Sequence, residues 1–188
     1  MHNLPPSRFS DLITSHPVLL LSSRSGRTNT ITPLTWYLPQ SNDPPLIGVS
    51  LKPSTLSYRH VREAGDFILG IPGPAMLKTV HFCGIHTGKD VDKITSLGLS
   101  TTRGRDVSPL MLTDAIANFE CKVREFFFVG NRPLITAEVL SVSVNSKLYD
   151  DGWLPHARLI HYEGGNTYRI GNETIDMSHL RPGYILYQ

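Results

Sequence analysis

An extended segment near the N-terminus carries side chains that can form hydrogen bonds, followed by a tryptophan. The row consists of Asn29, Thr30, Thr32, Thr35 and Trp36. Its threonines and β-branched residues favour a strand, but Pro33 demotes the strand to an edge, a bulge or a loop. Such irregularity leaves backbone groups free to contact a ligand. A strand edge that simply faces solvent is the alternative.

A second polar group stands where a helix is predicted to begin. Lys52 is followed by Ser54, Thr55 and Ser57. Backbone N–H groups and hydroxyls at a helix N-terminus form a natural phosphate site, because the helix dipole favours an anion there. A plain N-cap role for Ser54 is the alternative.

The segment from Gly84 to Asp90 has the composition of a phosphate-binding P-loop without its spacing. Its glycines lie one residue too close, and Asp90 replaces the serine or threonine that would bind magnesium. This spacing argues against a nucleoside triphosphatase. No G-x-G-x-x-G follows a predicted strand, so a Rossmann dinucleotide site has no support either. Lys93, just beyond, is either a site residue or an ordinary surface lysine.

His81, Cys83 and His86 are close enough in sequence to suggest a metal or nucleophile site. A structural zinc needs a fourth ligand, and the other cysteine, Cys121, is distant. No G-x-S-x-G motif occurs, and no third residue is placed to orient a Cys83–His86 pair. We therefore predict no metal, leave the catalytic residues unassigned, and interpret Cys83 as a small buried side chain.

Composition indicates one globular domain. The chain has 188 residues, of which 40% are hydrophobic and 18% charged, with a net charge of +2. Its scattered basic residues argue against nucleic-acid binding. It shows no apolar run long enough to span a membrane and no signal peptide. Two cysteines are too few for a disulfide framework, so a cytoplasmic location is expected.

Hydrophobic patterning predicts a mostly β fold with flanking helices, an α+β class. From Ala117 to Val123 apolar and polar residues alternate, as in a half-buried antiparallel strand. Other strands are predicted over residues 17–23, 27–37, 46–51, 66–71, 134–144, 158–161 and 167–170, and helices over 54–64, 74–84 and 90–97. We therefore expect a closed or nearly closed antiparallel barrel with helices packed outside it.

The predicted domain covers residues 17–171. Residues 1–16 are expected to form an N-terminal extension. Residues 172–188 are expected to form a C-terminal tail able to wrap a neighbouring subunit.

Several ordered motifs resemble the flavin reductase-like family, nearest to its flavoredoxin branch. They include residues 28–32 with Trp36, residues 43–50, and residues 67–72. The most specific is the block from Phe82 to Lys93, which is similar to the family pattern C-G-x-x-[ST]-G-x-D-x-D-K. The resemblance covers roughly residues 17–171 and implies an FMN-binding split β-barrel, usually a homodimer with FMN near the interface.

The resemblance also implies which residues contact non-covalently bound FMN. Asn29 and Trp36 would flank the isoalloxazine ring, residues 52–55 would hold the phosphate or ribityl chain, and residues 83–87 with Lys93 would close the other side. The full predicted set is Asn29, Thr30, Ile31, Thr32, Thr35, Trp36, Ser50, Leu51, Lys52, Ser54, Thr55, Cys83, Gly84, His86, Thr87, Lys93, Arg132 and Tyr162.

One departure concerns the position after Gly130. The family pattern tends to place a histidine there near the flavin, whereas this chain has Asn131 and Arg132. An arginine would bring a permanent charge in place of a titratable one. Tyr162 is predicted either to stack over the flavin or to close the barrel core.

The function implied by the resemblance is an oxidoreductase. It would pass electrons from NADH or NADPH through bound FMN to free flavin, ferric iron or a protein partner. A non-catalytic FMN-binding electron carrier is the first alternative. A domain that has lost FMN and binds another ligand or a protein is the second.

Overall fold

A computed structural model describes residues 16–171, which form eleven β-strands and three α-helices. The strands are β1 (Leu19–Ser25), β2 (Thr28–Leu34), β3 (Tyr37–Asn42), β4 (Pro45–Ser50), β5 (Asp66–Ile71), β6 (Thr101–Arg103), β7 (Leu110–Leu112), β8 (Ala117–Val129), β9 (Arg132–Val144), β10 (Ile160–Gly164) and β11 (Thr167–Ile170). The helices are α1 (Leu56–Ala64), α2 (Leu77–Ile85) and α3 (Lys93–Leu97). The predicted N-terminal extension, apart from residue 16, and the predicted tail lie outside the described residues.

Seven strands form one antiparallel sheet in the order β2-β1-β5-β8-β9-β4-β3. The two edge strands, β2 and β3, are consecutive in the chain, and only Thr35 and Trp36 separate them. Because three Cα–Cα steps span at most roughly 11 Å, the sheet must curl until its edges approach each other. The edges do not pair, so the barrel stays open along this seam. The predicted antiparallel barrel is confirmed in its nearly closed form.

Both faces of β1 are buried, which explains its unbroken apolar sequence. Leu19 and Leu21 belong to the core inside the barrel, together with residues such as Phe67. Leu20 points to the opposite face and packs in a second core with Val80 of α2. Successive side chains of a strand alternate between faces, so one apolar run serves two layers. The helix layer is thereby fixed against the barrel wall.

Several predicted boundaries are wrong by a few residues. The N-cap of α1 is Thr55, not Ser54, because the Thr55 side chain accepts from the backbone N–H of Tyr58. The helix ends as predicted at Gly65, whose φ is 71°. The third helix begins at Lys93, not at residue 90, because Asp92 caps it. A 3₁₀ turn, Pro74–Met76, precedes α2.

Three short strands are absent from the sequence prediction. The predicted strand 27–37 ends at Leu34 as the edge strand β2, and Tyr37 starts β3, which was not predicted. The small β6–β7 hairpin was also missed. The last two strands pair as predicted, but they form a separate hairpin, β10–β11, outside the main sheet. None of the described helices has the length and apolar character that a membrane crossing needs.

Candidate functional site

A cleft of about 410 Å³ opens at the seam where β2 and β3 fail to pair. The chain segments that line it are the end of β2 and its turn, the link from β4 into α1, the end of α2 with the loop to α3, and the start of β9. The lining residues are Thr30, Thr32, Pro33, Leu34, Thr35, Trp36, Ser50, Leu51, Lys52, Thr55, Leu56, Cys83, Gly84, Ile85, His86, Thr87, Gly88, Lys93 and Arg132.

The cleft brings together most of the residues singled out in the sequence. Four members of that set do not line it: Asn29, Ile31, Ser54 and Tyr162. Ile31 is fully buried in the core, and Ser54 is exposed beyond the helix cap. The Asn29 side-chain oxygen is buried and has no hydrogen-bond partner among residues 16–171. Of the residues 52–55 that were predicted to hold a phosphate, Lys52 and Thr55 line the cleft.

The start of α1 forms one end of the cleft. The Thr55 hydroxyl donates to the Lys52 carbonyl at 2.8 Å and accepts from the Tyr58 N–H at 3.2 Å. The N–H groups of the first helical turn beyond this cap have no partner within the helix. With the exposed Lys52 beside them, they give this end of the cleft a positive potential.

Lys93 is buried, with 3% of its surface exposed, and is no ordinary surface lysine. Its ammonium group donates to the carbonyls of Ile31 at 2.8 Å and Cys83 at 2.7 Å. Neither partner is a carboxylate, and burial lowers the pKa of Lys93 from its usual 10.5. An ammonium has three N–H donors, so one is left for a ligand in the cleft.

The two thiols of the described chain are buried and unpaired. Burial raises the pKa of Cys83 to about 11, so this residue stays a neutral thiol near pH 7. His86 stacks on the ring of Phe82 at 4.0 Å, while His81 contacts Tyr168. Within residues 16–171 no three His, Cys, Asp or Glu side chains are arranged to hold a metal. Cys83 therefore contributes shape and its carbonyl group to the cleft.

Gly88 allows the loop after α2 to approach β2. A Cβ atom at this position would lie 2.1 Å from the hydroxyl oxygen of Thr30, well inside van der Waals contact. That hydroxyl is itself buried, and no described residue forms a hydrogen bond with it. Buried polar groups are normally paired, so Thr30 is a candidate for ligand contact.

Trp36 and Arg132 meet in the cleft. The guanidinium carbon of Arg132 lies 4.3 Å from the centroid of the Trp36 ring, a cation–π contact. Trp36 is 38% exposed, so the indole retains surface for a ligand. Arg132 thus stands in the cleft, as expected for the position where the family pattern tends to have histidine.

The charged residues that line the cleft within residues 16–171 are all cationic: Lys52, Lys93 and Arg132, with no aspartate or glutamate among them. Cations gathered without a compensating carboxylate favour an anionic ligand. The mixture of polar atoms with Trp36, Leu51 and Leu56 suits a ligand that also has an apolar planar part.

Tyr162 lies in a separate cavity of about 230 Å³, here called the side pocket. The side pocket borders the cleft, because both are lined by Pro33, Thr35, Gly84 and Ile85. Tyr162 does not line the cleft and packs against the second core. Its predicted role, stacking over the flavin or closing the barrel core, stays a prediction.

Sequence reasoning missed some of the lining. Gly88 and Ile85 line the cleft and lie inside the most specific motif, residues 82–93, so their position in that motif could have identified them as site residues. Leu34 and Leu56 gave no such signal, because an apolar residue in a strand or helix is usually core.

Comparison with known proteins agrees with this geometry. A solved FMN-binding protein from Thermus thermophilus with bound 1-cyclohex-2-enone is 25% identical and covers 94% of this chain and 96% of its own, with a TM-score of 0.80. Flavoredoxin from Methanosarcina acetivorans is 21% identical, and the match covers 100% of this chain and 99% of the flavoredoxin chain, with a TM-score of 0.84. An uncharacterized protein of Pyrococcus abyssi is 25% identical over 71% of this chain and 76% of its own length.

The fold of these neighbours is the split β-barrel, so the predicted fold class is confirmed. Residues 12–168 match the model of the flavin reductase like domain, which covers most of the chain. The family expected from the motifs is therefore confirmed. The chain belongs to the flavin reductase-like domain family.

Proposed function

We propose that the cleft binds FMN non-covalently and that the protein passes electrons from NADH or NADPH through it to an acceptor. The observation that carries the proposal is a cleft at the seam of a flavin reductase-like barrel, lined by three cationic side chains and by no carboxylate of the described residues. FMN is an anion with an apolar planar ring, which suits both properties of the cleft.

The phosphate of FMN fits the end of the cleft formed by α1. Free backbone N–H groups, the Thr55 cap and Lys52 all favour an anion there. This helix is nine residues long and ends in a glycine cap, so its dipole is well formed. The predicted role of residues 52–55 is retained, with Ser54 removed from it.

The flavin ring fits between β2 and the loop after α2. Trp36 offers an apolar ring face. The buried hydroxyl of Thr30 and the third N–H of Lys93 can pair with polar atoms at the ring edge. When bound, FMN supplies the electron chemistry, and the chain supplies placement, exclusion of water and positive charge. A buried ammonium near the ring stabilises added negative charge more than it would in water.

The names of similar proteins support the same cofactor. The Thermus neighbour is described as FMN-binding, and other structural neighbours are a flavoredoxin and a monooxygenase component B. The proposed acceptor is free flavin, ferric iron or a partner protein.

A homodimer with FMN near the interface belongs to the same proposal. Large apolar side chains are exposed along β8 and β9, among them Phe128 with 69% and Val142 with 60% of their surface accessible. Apolar exposure of this kind on a sheet commonly marks a protein interface. Arg132 begins β9, so the cleft borders this surface.

The test combines flavin content with anaerobic reduction. We expect the purified full-length protein to bind FMN with near one-to-one stoichiometry, measured by absorbance and fluorescence titration. Mixing with NADH and with NADPH in a stopped-flow instrument should bleach the flavin at a rate compatible with turnover. Protein that takes up no FMN contradicts the whole proposal. FMN that binds but is not reduced by either nucleotide favours the alternative of an electron carrier.

A further inference from the structure

The side pocket is a second cavity beside the cleft, and the proposed FMN site does not account for it. Its volume of about 230 Å³ exceeds the 150 Å³ or so of an apolar cavity that can hold benzene. Four residues, Pro33, Thr35, Gly84 and Ile85, form the border it shares with the cleft. A molecule in the side pocket would therefore lie next to whatever fills the cleft.

The two cavities differ sharply in charge. Three cations line the cleft, whereas no Asp, Glu, Lys or Arg from the described part of the chain lines the side pocket. Placing an anion or a cation in such surroundings is costly, because no opposite charge replaces the lost water. The side pocket thus selects for a neutral ligand.

Three aromatic side chains shape the side pocket. The rings of His81 and Tyr168 meet edge to face with centroids 5.9 Å apart, and those of Tyr162 and Tyr168 lie 5.5 Å apart. Val18 and Val80 add aliphatic surface. Aromatic rings in these arrangements favour a further planar ring over a flexible chain.

Two of the polar side chains in this wall form a pair. The hydroxyl of Tyr168 lies 3.2 Å from Nδ1 of His81. Burial raises the pKa of Tyr168, so its hydroxyl stays protonated at neutral pH. When the His81 ring nitrogen is the donor, the Tyr168 hydroxyl is free to donate to a ligand oxygen. The Tyr162 hydroxyl is engaged with the Gly165 carbonyl at 3.3 Å.

We propose that the side pocket binds a small neutral aromatic carbonyl compound, with the carbonyl oxygen accepting a hydrogen bond from Tyr168. The site itself follows from the side pocket alone. The interpretation of the side pocket as the binding site of an electron acceptor next to FMN rests on the proposed function. Tyr168 and His81 would then be binding residues for that acceptor.

The test uses full-length protein that has been saturated with FMN. Acetophenone is the probe, and its binding is measured by isothermal titration calorimetry. Benzoate, which has the same ring but a carboxylate, is the charged comparison. We expect acetophenone to bind without releasing FMN, and benzoate to bind at least tenfold more weakly. Tyr168→Phe keeps the ring and removes the hydroxyl, so acetophenone affinity should fall about five- to tenfold.

Two further variants make the result specific. His81→Phe should also weaken acetophenone binding, because Tyr168 loses its partner. Tyr149→Phe is the matched control, since Tyr149 pairs with Trp153 away from both cavities, and it should bind like the parent protein. FMN affinity, measured by fluorescence in every variant, reports whether the cleft and fold are intact.

Three outcomes would overturn the inference: no acetophenone binding to FMN-loaded protein, unchanged affinity in Tyr168→Phe, or equal affinity for benzoate. Acetophenone that displaces FMN would place it in the cleft and would also overturn the inference. Loss of FMN binding in the parent protein is a different failure, because it contradicts the proposed function. The two proposals are thus tested separately.

Discussion

At the scale of single residues, Lys93 distinguishes this cleft from an ordinary surface groove. A buried ammonium that contacts only two carbonyls keeps most of its desolvation cost. We predict that Lys93→Met weakens FMN binding at least tenfold in fluorescence titrations. The free energy of unfolding without FMN should change by no more than about 1–2 kcal/mol, because the lost hydrogen bonds are offset by removal of a buried charge. A large loss of stability with unchanged FMN affinity would make Lys93 a structural residue.

The same residue predicts a pH dependence. Burial lowers the pKa of Lys93 in the free protein, while an anionic ligand favours the charged form and raises it again. FMN should therefore bind most tightly at pH values below the lowered pKa of Lys93. Its affinity should decline as the pH rises from that pKa towards 10.5, the ordinary pKa of lysine. Titrations of the parent protein and Lys93→Met between neutral and alkaline pH check this. A decline of equal size in both proteins would assign the effect to another group.

Cys83 leads to a prediction about reactivity. With pKa values of about 11 for Cys83 and about 12 for Cys121, both residues are almost entirely thiols at pH 8. Only thiolates react with iodoacetamide, so neither should be alkylated in the folded protein, and both should be after unfolding. Intact-mass spectrometry measures the difference. Rapid alkylation of native Cys83 would reopen the nucleophile hypothesis that the sequence left weak.

At the scale of elements, the loop after α2 must approach β2 closely, and Gly88 is the point of approach. Gly88→Ala should lower the free energy of unfolding by about 1–3 kcal/mol, because the new methyl group meets the Thr30 hydroxyl. Adding Thr30→Ala should recover part of that loss. The matched control is Gly84→Ala, whose methyl group would meet Pro33 at an ordinary 3.4 Å. Urea denaturation compares the variants, and equal costs at both glycines would contradict the close approach.

The elements show which features could be predicted from sequence. The alternation in β8 and the glycine cap of α1 are local patterns, and both were predicted correctly apart from the extent of β8. The edge strand β3 contains one proline and three polar residues, and none of its six residues is fully buried, so it has no apolar pattern to detect. It pairs with β4 as a local hairpin across the two residues that follow Asn42.

The residues of the candidate site also divide into those that a local sequence pattern predicts and those that depend on long-range contacts. Lys52 and Thr55 were predicted because a helix N-terminus is a local feature. The burial of Lys93 and the meeting of Arg132 with Trp36 depend on contacts between distant parts of the chain. For these residues the family motif indicated importance, but only the fold supplies the physical reason.

At the scale of the whole molecule, the open seam links fold and function. A fully closed barrel would pair β2 with β3 and fill the position of the cleft with backbone hydrogen bonds. Leaving the edges apart exposes Thr35 and Trp36 between them and lets α1, α2 and β9 contribute one wall each. The helices stay fixed because a second core holds α2 to the outer face of β1.

The exposed apolar surface of β8 and β9 carries the last prediction, which concerns assembly. We expect light scattering after gel filtration to give twice the 20.9 kDa of one chain. Phe128→Asp should shift the protein towards monomer, because a charge would be buried where Phe128 is now 69% exposed in the single chain. Tyr149→Asp, at a residue 39% exposed in another region, is the control and should stay dimeric. If the dimer completes the cleft, Phe128→Asp should also weaken FMN binding. A parent protein that is monomeric and binds FMN tightly would contradict the predicted dimer and show that one chain suffices for binding.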